Sequence, residues 1–141
     1  MGFRTRRIVE FRDTDAAGIV HFSAFFPWME AAEHEMLRSA GIQVLPRSHD
    51  DDSVTWPRVS VSCDYTRAAR FEDWLEIGVS VAKVGRSSVH YEIRFWRDLG
   101  AGDPVPVANG KTVAVCCRLL PGGGLEKVEI PAEIRAKLEA L

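Results

Sequence analysis

Neither a Cys-x-x-Cys pair nor a His-x-x-x-His pair occurs in the 141 residues, so the usual spacings of a zinc site are missing. The three cysteines cannot all pair within one chain. Cys116 and Cys117 are also neighbours, whose side chains would leave a strand on opposite faces. Reduced thiols in a cytoplasmic protein are the simplest reading. No apolar run approaches the ~20 residues that span a bilayer, so membrane insertion is not expected. The basic start Met1–Arg7 is not followed by the hydrophobic region of a signal peptide. A net charge of −2 gives no whole-chain bias toward nucleic acid. Low-complexity tracts are absent too.

The composition that remains, 46% hydrophobic and 27% charged, suits one globular domain over 1–141 with its own core. Phe3, Val9 and Phe11 alternate among arginines and predict a half-buried strand over residues 3–12. A helical pattern then runs to about Ala40. Phe25, Trp28, Met29, Ala32, Met36 and Ala40 share one stripe, with Glu30, His34 and Arg38 opposite. Gly41 is placed to end the helix. Pro27 is tolerated only in a first turn, so either the helix proper begins near it or the opening turn is irregular. Residues 42–53, with Pro46 and His49-Asp50-Asp51-Asp52, read as an exposed loop rather than a metal site.

The second half reads as strands. Four alternating sets are visible: Val59, Val61, Cys63, Tyr65; Leu75, Ile77, Val79, Val81; Val89, Tyr91, Ile93, Phe95; and Val113, Val115, Cys117, Leu119. Gly85 and the stretch 99–104 mark turns, Pro121–Gly124 ends the last long strand, and a short helix begins at Pro131 with Glu133 in its first turn. This order predicts an α+β fold, an antiparallel sheet of about five strands packed on one helix. One helix covers only part of such a sheet, which points to dimerisation.

The segment Asp13-Thr14-Asp15-Ala16-Ala17-Gly18-Ile19-Val20-His21-Phe22 carries the chemistry. It sets a carboxylate beside a helix start, where free N–H groups and the helix dipole favour negative charge. Asp15 is a candidate nucleophile or general base, and equally a turn or N-cap acid. Asp13, two residues away, points to the opposite face and reads as a turn-stabilising acid. Gly18 permits either a special backbone conformation or a close approach.

That segment, followed by Trp28-Met29-Glu30-Ala31-Ala32, resembles the hotdog-fold acyl-CoA thioesterases of the 4-hydroxybenzoyl-CoA thioesterase family. Val61-Ser62-Cys63-Asp64-Tyr65, Phe71-Glu72-Asp73-Trp74-Leu75 and Gly85-Arg86-Ser87-Ser88 add to the likeness, which covers about residues 5–120. The resemblance implies a long central helix wrapped by a curved antiparallel sheet. It also implies a homodimer whose sheets run together, often assembled into a homotetramer, with active sites between subunits. It assigns the catalytic carboxylate to Asp15, the N–H that polarises the thioester carbonyl to Phe22, and the nucleotide end of coenzyme A to Arg86, Ser87 and Ser88. One branch of the family, associated with the Tol-Pal system, has a histidine at the position of Phe22. Here the histidine stands one place earlier, as His21, so that role is not transferred.

His21 remains a candidate substrate contact or a packed histidine. Phe25, Phe26, Trp28 and Trp56 are candidates for an acyl pocket or for core, with Trp56 favoured by the resemblance. Arg67, Arg70 and Lys83 read as solvated, whereas Arg86 gains weight from its motif. The expected activity is hydrolysis of an aromatic or short- to medium-chain acyl-CoA, with coenzyme A as part of the substrate and no metal or redox cofactor. The alternatives are a hotdog-fold hydratase or dehydratase of enoyl or hydroxyacyl thioesters, and a non-catalytic acyl-CoA binding protein.

Overall fold

The computed structural model describes residues 2–45 and 53–141, so most of the loop expected over 42–53 lies outside the described residues. The chain enters as β1 (Phe3–Ile8) and makes a 3-10 turn at Phe11–Asp13. A second 3-10 turn, Phe22–Ala24, runs into α1 (Phe25–Ser39). Next come β2 (Arg58–Tyr65), β3 (Trp74–Val84), β4 (Ser88–Asp98) and β5 (Val105–Val115). The last elements are β6 (Cys117–Leu119), β7 (Leu125–Lys127) and α2 (Ala132–Glu139). The main sheet is antiparallel in the order β1-β3-β4-β5-β2, and β6 and β7 form a separate hairpin across the Pro121–Gly124 turn.

Helix α1 lies on one face of this sheet, the hotdog arrangement that the resemblance implies. Phe25, Trp28, Met29, Ala32, Met36 and Leu37 are buried against Leu75, Ile77 and Val79 of β3 and Val89, Tyr91, Ile93 and Phe95 of β4. Each large apolar side chain so covered contributes about 1.5–3 kcal/mol. At Gly110 of β5 a Cβ would stand 2.5 Å from Met29 Cε, so any side chain there has to displace the tip of the Met29 chain. The helix stops as expected: Gly41 takes φ +73°, its N–H bonds the Arg38 carbonyl, and Ile42 N–H bonds that of Leu37. Pro27 sits in the first turn, and the irregular opening is the 3-10 turn ahead of Phe25.

Several expectations need correction. Strand β1 ends at Ile8, and the chain bends so that Phe11, expected inside, is 78% exposed. Ile42, placed in the exposed loop, is buried because the helix stop folds it back. Val113 and Val115 are only partly buried, and the buried positions of β5 are Val107, Ala108, Gly110, Thr112 and Ala114. Thr112 serves there through its hydroxyl, which donates to the Glu33 carboxylate at 3.1 Å. Cys117 and Leu119 belong to a new strand rather than to the same run. Both Cys116 and Cys117 are buried despite being neighbours.

On the far face of the sheet, the Arg4 and Arg6 guanidiniums of edge strand β1 lie 4.5 Å from the centre of the Trp96 ring and 4.6 Å from that of Trp74. They also pair with Glu76 and Asp98. The other edge strand, β2, is its opposite in character: Val59, Val61 and Tyr65 reach past α1 and stay largely exposed.

One charge sits under the helix. The Glu33 carboxylate, only 3% exposed, receives both Arg58 amino groups at 2.6 and 3.2 Å and the Thr112 hydroxyl at 3.1 Å. Burial, then this carboxylate, pushes the neighbouring Tyr91 hydroxyl up from its ordinary pKa. Replacing Glu33 by Ala leaves the part-exposed Arg58 with Glu30, 3.5 Å away, and takes away the acceptor of the Thr112 hydroxyl. Urea unfolding of Glu33→Ala is expected to show a loss of about 1–3 kcal/mol, with Glu33→Gln falling between it and wild type.

Candidate active site

The loop between the two 3-10 turns is tied at both ends by backbone hydrogen bonds. Asp15 N–H donates to Ile19 O at 2.9 Å, Gly18 N–H to Asp15 O at 2.9 Å, and His21 N–H to Asp13 O at 2.8 Å. Val20 N–H reaches Ala69 O at 2.8 Å, which docks the loop on the segment after β2. Gly18 takes φ +80°, with open space where a Cβ would stand. Of the two readings of this glycine, conformation is the one that applies.

Asp15 Oδ1 accepts Ala17 N–H at 2.8 Å, fixing the carboxylate in an Asx-type turn. Its other oxygen takes no hydrogen bond from the described residues and remains available for chemistry. Asp15 and Phe22 line one cleft of about 430 Å³, with Ile19, Val20, Phe25 and Ala69 as its apolar wall. Phe22 opens the 3-10 turn, so its N–H has no partner within that turn.

Asp13 and His21 belong to a different cleft, of about 830 Å³, between β1 and the start of α1. Asp13 accepts Glu10 N–H at 2.8 Å, the turn-stabilising role expected of it. The two acids therefore diverge, as their spacing predicts. The structure does not bring His21 into the cleft of Asp15. Trp28 lines the second cleft with it, while Phe26 lines a third beside Arg58 and Val61. Trp56 is not among the residues around Asp15. It packs, partly buried, against the core, and its indole N–H has no partner there.

Two residues of the Asp15 cleft were passed over in sequence. Arg67, read as solvated, lines the cleft while its guanidinium donates to Pro106 O at 3.2 Å. Tyr65 lines it as well, and its hydroxyl donates to Phe22 O at 2.9 Å, holding the 3-10 turn from the sheet side. Tyr65 closes the apolar run of β2 and stands in the Val61–Tyr65 block of the family likeness, whereas Arg67 had no signal beyond following that run.

Arg86, Ser87 and Ser88 line a separate cleft of about 420 Å³ with Val115, Lys127 and Glu129. Their turn is braced from α2, where Arg135 donates to Gly85 O at 2.8 Å and to Arg86 O at 3.2 Å. Within one chain this turn lies far from Asp15. Phe25 touches Phe95 at 5.1 Å between ring centres, and from Phe95 back to Ser88 the strand runs roughly 20–25 Å at ~3.3 Å per residue. The cysteines offer no rival nucleophile, because burial raises all three thiols, Cys116 to about 11.

A sequence profile described as thioesterase superfamily matches residues 17–101, starting just after Asp15. A 1,4-dihydroxy-2-naphthoyl-CoA hydrolase of Nostoc punctiforme is 32% identical over 141 residues, covering 99% of this chain and 88% of that one. An acyl-CoA thioesterase YbgC of Haemophilus influenzae is 27% identical, with 99% and 96% covered. In fold, the 4-hydroxybenzoyl-CoA thioesterase structure from Pseudomonas sp. strain CBS-3 superposes with a TM-score of 0.85 at 22% identity, covering 96% of this chain and 98% of that one.

Burial, with Cys63 and Asp64 beside it, lifts the Tyr65 hydroxyl from 10.0 to about 12. A pKa raised on folding gives stability that is complete below pH 10.0 and is lost as pH rises through about 12. In thermal melts across that window, Tyr65→Phe is expected to lose less stability than wild type. At neutral pH the same variant is expected to melt earlier, by about 1 kcal/mol of lost hydrogen bond.

Proposed function

The chain belongs to the thioesterase superfamily, and from that premise we propose that it hydrolyses an acyl-CoA thioester to a free acid and coenzyme A. The observation that carries the site assignment is the shared cleft: a carboxylate with one unengaged oxygen and the first N–H of a helical turn border the same apolar space.

In this reading Phe22 N–H stabilises the oxyanion formed at the thioester carbonyl. Asp15 acts on the carbonyl carbon, either directly to give a mixed anhydride or by taking a proton from the attacking water. The carbon–sulfur bond then breaks and the thiol of coenzyme A leaves. Gly18 shapes the turn that presents Asp15. Phe25 and Val20 offer the acyl group apolar surface, and an aromatic acyl group is favoured by the names of the relatives. The chemistry calls on the carboxylate, the backbone and water, with no metal or redox cofactor.

The nucleotide end of coenzyme A is assigned to the Arg86–Ser88 turn. A second copy of the chain has a surface to join on at β2: a free strand edge beside exposed Val59, Val61 and Tyr65, with Phe22 61% exposed nearby. Pairing there makes a homodimer, which association of two dimers extends to a homotetramer.

Asp15→Asn keeps the shape of the turn and removes the reactive carboxylate. Its kcat, measured by free-thiol release from a panel of aromatic and aliphatic acyl-CoAs, is expected to fall by about 100-fold or more. Hydrolysis at the wild-type rate overturns the mechanism. Val61→Asp places a charge on the proposed dimer surface. Sedimentation velocity is expected to show monomer, with activity lost in parallel, and an intact dimer rules this surface out.

A further inference from the structure

We infer that His21 is a positioning residue for thioester cleavage: its ring, when neutral, caps the Phe22–Ala24 turn and so holds the Phe22 N–H in place. The inference rests on the reading of Asp15 and Phe22 given above, and it gives His21 a role from outside the cleft in which they meet.

The geometry is that of an N-cap made by an imidazole. Ser23 N–H donates to His21 Nδ1 at 3.2 Å, and the Ser23 hydroxyl lies 2.7 Å from the same nitrogen. The Ser23 N–H needs an acceptor, and Nδ1 presents its lone pair to it. The backbone of His21 is fixed separately by its N–H bond to Asp13 O at 2.8 Å. The ring leans on Phe22, with centres 4.5 Å apart. On the far side of Phe22, Tyr65 holds the carbonyl of the same residue. The residue proposed to donate to the oxyanion is thus clamped between a ring in one cleft and a hydroxyl in the other.

Kinetics of His21→Ala and His21→Asn test this, using whichever of benzoyl-CoA and hexanoyl-CoA the wild type hydrolyses. Measurements are made at neutral pH, with circular dichroism to verify folding of each variant. An asparagine oxygen can accept the Ser23 N–H in place of the ring. His21→Ala is expected to lose roughly fivefold in kcat, the worth of one N-cap, with KM little changed. His21→Asn is expected to recover most of that loss. Unchanged kcat in His21→Ala, a change confined to KM, or a His21→Asn variant as slow as His21→Ala overturns the inference. Asp15→Asn is run beside them. If it keeps full turnover, the reading of the site fails and takes this inference with it. An inactive Asp15→Asn beside an unaffected His21→Ala sinks this inference alone.

Discussion

The approach of α1 to the sheet rests on the contact between Met29 and the bare backbone of Gly110. Interiors are packed densely enough that one extra carbon at such a point must move something. On the same strand as Gly110, Thr112 lies where Glu33 reaches it together with Arg58. The same placement brings Phe25, in the first turn of α1, against Phe95 and Tyr65, with ring centres 5.1 and 5.2 Å away. The 3-10 turn that precedes Phe25 inherits its position from this packing. The location of the Phe22 N–H is therefore a consequence of core geometry, and the loop carrying Asp15 is fitted to it by the Val20–Ala69 and His21–Asp13 hydrogen bonds.

Much of this was legible in the chain wherever local pattern and tertiary burial agree. The stripe on α1, the stop at Gly41 and the alternation of β3 and β4 are local signals, each read from spacing alone. Legibility failed where the neighbour across space decides. The phase of β5 was misread because valine looks like an inward residue, yet at that end of the strand Gly110, Thr112 and Ala114 are the buried ones. Phe11 was placed inside because alternation was carried past Ile8, where the chain turns. Burial of Glu33 depends on an arginine 25 positions away and had no local sign.

The site divided in the same way. Asp15 was a candidate from one short segment, Phe22 joined it through the family likeness, and the divergence of Asp13 followed from its parity. Arg67 and Tyr65 join them only because Thr66 N–H bonds Val107 O and Ala69 O accepts Val20 N–H, folding the chain after β2 against the loop. Trp56 was assigned on likeness rather than spacing, and it packs elsewhere. Chemistry carried by one segment can be read in sequence, whereas the walls of a cleft are assembled by tertiary contacts.

The two rims of the sheet have unlike surfaces. Along β1, the arginines over Trp74 and Trp96 are engaged by Glu76 and Asp98 and keep that rim wetted. Along β2, hydrocarbon is left uncovered. Were two copies to join along β2, both apolar rims would be used up at once and each outer end of the joined sheet would be a charged one, leaving no apolar rim for fibrous growth.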